Sequence, residues 1–378
     1  MNTKKKKNIG KKILLLLLAL SCMAQSPTVF SKQPKQDSET EALQETDYSK
    51  YSNTTHSWYI IRNKNHEKTG GGVPKGIKFS DYNAYYINKK TKQKVIYLSF
   101  DCGYENGYTK KILKTLKKHH AKAVFFVTKP FIESNPELVK QMKEEGHLVG
   151  NHTCSHPSLP DKSVSEIQKE ITDCEKAYKK ATGSVMDPFI RPPMGNFSER
   201  SLKVAKDLGY QTIFWSMAYY DYDANNQPGK DYVVNHFKQN YHKGSLPLIH
   251  NTSKSNCEAL DEVLTFLESK NYRFGTIDEF TLKKGTLTID CPDKIYDGKP
   301  AKAAVIKNTN KNAKITYTFK NAKGQVVKKA IKPGTYTVVA EVSSTRTYRT
   351  TKSNKVTFTI SKPNASFLIV LYKILLHN

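Results

Sequence analysis

Two histidines four residues apart, in the run Asn151-His152-Thr153-Cys154-Ser155-His156, can point the same way from one helical turn or from a tight loop. Imidazole nitrogens spaced like that can share one divalent ion. A metal with two or three protein ligands keeps open positions for water and for a polarised carbonyl oxygen, which suits hydrolysis of an amide or ester. A carboxylate must then take the water's proton. Asp101 is the candidate, because Val95 to Phe100 (VIYLSF) reads as a buried strand with the acid at its C-terminal end. In sheets of β-α units those ends face the crevice where ligands bind. Arg191 can form a bidentate pair with Asp101 that holds it in place and keeps it ionised. The leaving amine needs a second acid. His250 oriented by Asp221 fits, since imidazole titrates near neutrality and an ionised neighbour favours its protonated form. Taken singly, each residue has a plainer explanation: a turn cap for Asp101, a surface turn for the histidines, a loop aspartate for Asp221. What favours chemistry is that Asp101, Arg191 and His250 all fall at expected strand ends.

The elements that must position these groups alternate as parallel strands and crossover helices do. Helices are expected at Tyr108 to His120, Pro136 to Glu145, Ser165 to Ala181 (stopping at Gly183), Phe197 to Leu208 and Cys257 to Lys270. Strands are expected at Ala123 to Val127, His147 to Gly150, Phe189-Ile190, Tyr210 to Trp215, Leu246 to His250 and Arg273 to Ile277. This gives an α/β domain over 58–283, and the strand count favours a barrel over an open sheet. At Gly285 the grammar changes. Thr286 to Ile289, Lys314 to Lys320, Gly334 to Val342 and Lys355 to Ile360 are β-rich runs between turns, as in a small antiparallel sandwich over 284–362. Tyr296-Asp297-Gly298 and Pro333-Gly334-Thr335-Tyr336 resemble the immunoglobulin-like modules of bacterial surface proteins, which implies spacing or wall contact.

The 38% hydrophobic content of this 378-residue chain fits a soluble two-part protein rather than a membrane bundle. Its charge of +27, from 61 basic and 34 acidic residues, suggests a polyanionic neighbour such as nucleic acid, an acidic glycan or an anionic membrane surface. The lysines are scattered and no nucleic-acid motif accompanies them, so nucleic acid is not the expected partner. Residues 4–12 (KKKKNIGKK) and the apolar Ile13 to Leu20 form a signal peptide or N-terminal anchor over 1–24, with Ala24 as the cleavage point. Export follows, with any membrane attachment through that segment alone. Residues 25–57 read as a polar linker, and 363–378 as an apolar tail of no assigned role. Loss of the leader leaves five cysteines, an odd number, so at least one thiol is free or metal-bound, with Cys102 and Cys154 the candidates.

Ser99-Phe100-Asp101-Cys102-Gly103, His152 to His156, Arg191-Pro192-Pro193-Met194-Gly195, Trp215 through Tyr222 and Leu248-Ile249-His250 resemble, in order and spacing, the motifs of the carbohydrate esterase family 4 (NodB-homology) polysaccharide deacetylases. The resemblance implies a distorted (β/α) barrel of NodB type, here followed by the immunoglobulin-like β-sandwich. It also implies Asp101 as base, His152 and His156 as ligands of a divalent metal (zinc first, or Mg, Mn or Co), and Arg191 as the residue that positions the base. The Met194 N–H would bind the oxyanion, Leu248 would line the acetyl pocket, Trp215 and Asn151 would contact substrate, and His250 would be the acid tuned by Asp221. Three positions depart from the pattern. Cys102 stands where a second, metal-binding aspartate is usual: it could bind metal as thiolate, leave the ion to two histidines and water, or cross-link to Cys154. Ala218 and Tyr222 stand where an aspartate and a tryptophan are common. With Gly103-Tyr104-Glu105-Asn106-Gly107, Asn225 to Lys230 and Thr252 to Asn256, these departures resemble the muramic-δ-lactam-forming de-N-acetylases of sporulating bacteria. The implied substrate is N-acetylmuramic acid in peptidoglycan freed of its stem peptides, cut by a monomer to give the lactam of spore cortex. The alternatives are a deacetylase of N-acetylglucosamine in peptidoglycan or chitin, a wall-glycan binder with an inactive barrel, and a wall anchor whose sandwich is the working part.

Overall fold

A computed structural model describes residues 46–363 of the chain. The expected leader, most of the linker and the apolar tail lie outside the described residues. The N-terminal α/β part is built on strands β1 (Ala84–Tyr85), β2 (Val95–Ile96), β3 (Leu98–Cys102), β4 (Ala123–Val127), β5 (Leu148–Asn151), β6 (Phe189–Ile190), β7 (Gln211–Ile213), β8 (Leu248–His250) and β9 (Arg273–Phe274). Seven of them form one parallel sheet in the order β8-β3-β4-β5-β6-β7-β1, and β2 pairs with β9. Helices α1 (Thr109–Lys118), α2 (Lys129–Ser134), α3 (Pro136–Glu144), α4 (Val164–Thr182), α5 (Glu199–Asp207), α6 (Lys230–Asn240) and α7 (Lys254–Ser269) lie between the strands.

Every residue of β3 and β4 is buried, as strands covered on both faces require. Leu98, Phe100 and Cys102 pack with Ile112, Leu113 and Leu116 of α1, while Val95 and Tyr97 join Val124, Phe126 and Phe189 in a second core. The period-two alternation therefore leaves Ser99 and Asp101 on the face opposite Cys102. The sheet curls: past β7, Ser216 N–H donates to Leu246 O at 2.9 Å and Leu248 N–H to Met217 O at 2.8 Å. Closure rests on isolated bridges, so the sheet is a curled half-barrel where the strand count favours a barrel over an open sheet.

The expected strand Val95 to Phe100 is two strands, because Val95–Ile96 pairs with β9 while Leu98 onward pairs with β4 and β8. Asp101 is the next-to-last residue of β3, at its carboxyl end. Helix α4 starts on a capping box between Ser163 and Glu166 and ends at Gly183, whose φ of 68° is a left-handed stop. Helices α2 and α6 escaped the sequence reading. The first is a six-residue turn, too short for a period, and the second starts at Gly229 without a side-chain cap.

The C-terminal part carries β10 (Leu287–Asp290), β11 (Lys294–Ile295), β12 (Ala304–Asn308), β13 (Ile315–Asn321), β14 (Val326–Val327), β15 (Gly334–Val342), β16 (Thr351–Lys352) and β17 (Val356–Ser361). β10 pairs with β12, and the larger sheet runs β11-β17-β15-β13-β14 with β16 on β15. Leu287, Ile289, Val338, Ala340, Val342, Phe358 and Ile360 form its own apolar core. Its seam to the α/β part includes a backbone exchange, Lys283 N–H to Thr347 O and Arg349 N–H to Lys283 O, and an Arg346–Glu175 ion pair at 2.8 Å. Among the described residues no helix is long and apolar enough to cross a membrane.

Candidate active site

Asp101, His152, His156, Met194, Trp215, Leu248 and His250 line one cavity of about 670 Å³ at the carboxyl ends of the strands. Arg191, fully buried behind it, organises the carboxylate. Its Nη1 donates to Asp101 Oδ1 at 2.7 Å, Nη2 to Ser99 Oγ at 2.8 Å and to Phe214 O at 3.3 Å, and Nε to Ile213 O at 3.1 Å. The guanidinium also lies 4.3 Å from the Phe126 ring centroid. The expected bidentate pair is thus a single contact, because Ser99, two positions before Asp101 on the same face, takes the other arm. Burial on its own would raise the Asp101 carboxyl. The Arg191 charge is the largest of the opposing influences, and with its hydrogen bond it holds Asp101 below the ordinary carboxylate range.

His152 Nδ1 lies 2.8 Å from the Arg191 carbonyl, which can only accept, so Nδ1 carries the proton and Nε2 keeps its lone pair. That Nε2 is 3.6 Å from Asp101 Oδ2. The His156 ring sits 4.8 Å from the His152 ring, on a loop with left-handed backbone at Thr153 (φ 69°) and His156 (φ 56°) rather than on a helical turn. Burial pushes His152 down to about 4 and lowers His156, so both present neutral imidazoles, the state a metal binds. Two neutral imidazoles beside a carboxylate are a donor set that fits a divalent ion with open positions. Among the described residues, no group of three His, Cys, Asp or Glu side chains has the geometry to enclose one.

The other pair is His250 and Asp221. Asp221 is completely buried, and it accepts from His250 Nδ1 at 2.7 Å, from His250 N–H at 2.8 Å and from Asn256 Nδ2 at 2.6 Å. Burial would lower the His250 imidazole, but the Asp221 carboxylate prevails and raises it above 6.5, leaving Nε2 for the cavity.

Two predicted site residues are elsewhere. Cys102 is fully buried in the apolar layer under α1, its thiol pushed well up chiefly by burial, and it does not line the cavity. Cys102 is therefore not the thiolate ligand that the motif position offered. The cross-link to Cys154 is absent too, since all five described cysteines are free. Asn151 is not a cavity residue either. It donates to Ile171 O at 2.9 Å and to Tyr210 Oη at 3.3 Å, and accepts from Thr153 N–H at 2.8 Å, so it ties down the histidine loop. Met194 reaches the cavity from a left-handed backbone (φ 57°), a conformation costly for a residue with a Cβ. Sequence reasoning missed Ser99, Asn256 and Trp58, whose indole N–H donates to Trp215 O at 2.9 Å. The signal for Ser99 was present: a lone hydroxyl on the Asp101 face of an apolar strand.

The polysaccharide deacetylase family profile matches residues 88–213. The peptidoglycan-N-acetylmuramic acid deacetylase PdaA of Bacillus subtilis is 43% identical over 228 residues, 60% of this chain and 86% of the relative. The chain belongs to the polysaccharide deacetylase family. The solved structure of Bacillus subtilis PdaA, a family 4 carbohydrate esterase, superposes with a TM-score of 0.58, covering 61% of this chain and 97% of that one. A Bacillus cereus peptidoglycan-N-acetylglucosamine deacetylase is 36% identical over 191 residues, 50% of this chain and 88% of the relative. This polysaccharide deacetylase is a hydrolase of amide C–N bonds, and the cavity holding the Asp101 and His250 pairs lies at the carboxyl ends of its family 4 sheet.

Proposed function

We propose that the chain removes the acetyl group of N-acetylmuramic acid in peptidoglycan strands that have lost their stem peptides. The freed amine then condenses with the lactyl carboxyl, whose C–O bond breaks with loss of water, to give the muramic δ-lactam of spore cortex. One observation carries the reading: the Asp101–Arg191 and Asp221–His250 pairs open on a single cavity that two neutral imidazoles also line. The similarity to PdaA supports muramic acid as the sugar, and the basic chain suits a carboxylate-bearing glycan outside the cytoplasm. In this reading the C-terminal part is an immunoglobulin-like spacer or wall contact.

Roles follow from chemical need. His152 and His156 would hold a divalent ion, zinc in this reading, which acidifies water and polarises a carbonyl. Asp101, ionised and fixed by Arg191, accepts the proton of the water that attacks the acetyl carbon. The Met194 N–H donates to the resulting oxyanion, and Leu248 contacts the acetyl methyl. His250, protonated beside Asp221, gives its proton to the nitrogen as the C–N bond breaks, releasing acetate and the amine. The test supplies the purified chain with strands bearing and lacking stem peptides, and with chitin oligomers, with and without chelator. Chelator-sensitive acetate release from peptide-free strands, followed by lactam, is expected. Release from N-acetylglucosamine alone moves the chain to that substrate.

A further inference from the structure

The cavity does not end at His250. Trp215, Tyr222, Leu248 and His250 are also walls of a second hollow of about 570 Å³ that reaches the N-terminal segment at Ile60 and Arg62. Among the described residues, no acidic side chain lines this hollow and Arg62 is its one permanent cation; Arg191 is sealed behind Asp101. Arg62 is exposed, and its Nη2 donates to Ala218 O at 3.0 Å, which fixes the guanidinium while leaving further N–H groups to donate. The segment that carries it is fitted rather than loose. Ile60–Ile61 pairs with Gly70–Gly71, Trp58 is buried against Phe214, and a Cβ at Gly71 would fall 2.1 Å from the Trp58 ring.

We propose that Arg62 reads the lactyl carboxylate of the muramic residue being cut, an inference that rests on the substrate reading above. The lactyl ether hangs from the ring carbon next to the one bearing the acetamide. With the acetyl group against Leu248 and the nitrogen facing His250, the carboxylate stays within a few bonds of both, and the hollow beyond His250 is open to it. A guanidinium fork matches a carboxylate in two parallel hydrogen bonds. N-acetylglucosamine offers a hydroxyl at that position. A muramic residue still bearing its stem peptide offers a neutral, bulkier amide. One side chain thus explains both preferences, for muramic acid and for peptide-free strands.

The experiment compares wild type, Arg62→Ala and Arg62→Lys on peptide-free strands and on the same strands with the lactyl carboxylate reduced to the alcohol. A charge-assisted bidentate contact predicts a fall of about tenfold to a hundredfold in kcat/KM for Arg62→Ala on native strands, mostly in KM, with Arg62→Lys between. Wild type should lose as much on the reduced strands, where the gap between wild type and Arg62→Ala closes. Equal losses on both glycans, or no loss, overturn the proposal while leaving muramic acid as the substrate. Wild-type activity confined to N-acetylglucosamine strands overturns both.

Discussion

Asp221→Asn keeps the shape of the buried partner of His250 and removes its charge. In the wild type the carboxylate accepts three hydrogen bonds, two of them from His250. The asparagine can accept with one atom only, and its NH2 then faces a donor, so at least one N–H is left unpaired where Asp221 is completely buried. A lost charge-assisted bond is worth about 2 kcal/mol, a rate loss of about thirtyfold. The pH profile gives a sharper readout. Asp221 holds the imidazole above 6.5 against burial, so without it burial dominates and the imidazole falls. If His250 acts as the acid, the alkaline limb of acetate release moves to lower pH in Asp221→Asn. Stability follows the same sign. The raised imidazole stabilises the fold fully below 6.5 and loses that contribution as pH rises through the folded value, so the two proteins differ most in acid. Acetate release from pH 5 to 10, with urea unfolding at the same points, measures both. An unmoved alkaline limb with a rate within threefold of wild type would refute the reasoning.

Arg191→Met leaves the Asp101 carboxylate buried without its cation and should destabilise the fold by about 3–5 kcal/mol and abolish activity; a urea midpoint within 1 kcal/mol of wild type would contradict this. Cys102→Ala should cost about 1 kcal/mol of packing and leave metal content unchanged; loss of the ion by elemental analysis would restore sulfur as a ligand. Burial holds His147 and His236 down at about 4, so the unfolded chain takes up their protons first as pH falls below 6.5. The stability they lend is present above 6.5 and lost toward 4, and a urea midpoint that does not fall between pH 7 and 4.5 would contradict it.

Asp101 and Arg191 were legible as charged residues closing short apolar strand runs, and the histidine pair through its four-residue spacing. Pairing across the sheet was not. Whether Arg191 meets one or both Asp101 oxygens depends on Ser99, and that is settled by the alternation of β3 and the curl of the sheet. Cys102 and Asn151 were misjudged for one reason: neighbours of a functional residue in a strand face the other way. The second hollow was invisible because Arg62 lies 156 residues from Ala218, and only the docking of Trp58 brings that segment to the site.

The most direct test of the central claim measures bound metal and acetate release together on wild type, Asp101→Asn and His156→Ala. Wild type should carry about one ion per chain and release acetate in a chelator-sensitive way. Asp101→Asn should retain the ion without release, and His156→Ala should lose both. Metal content and acetate release unaltered in His156→Ala would contradict the central claim.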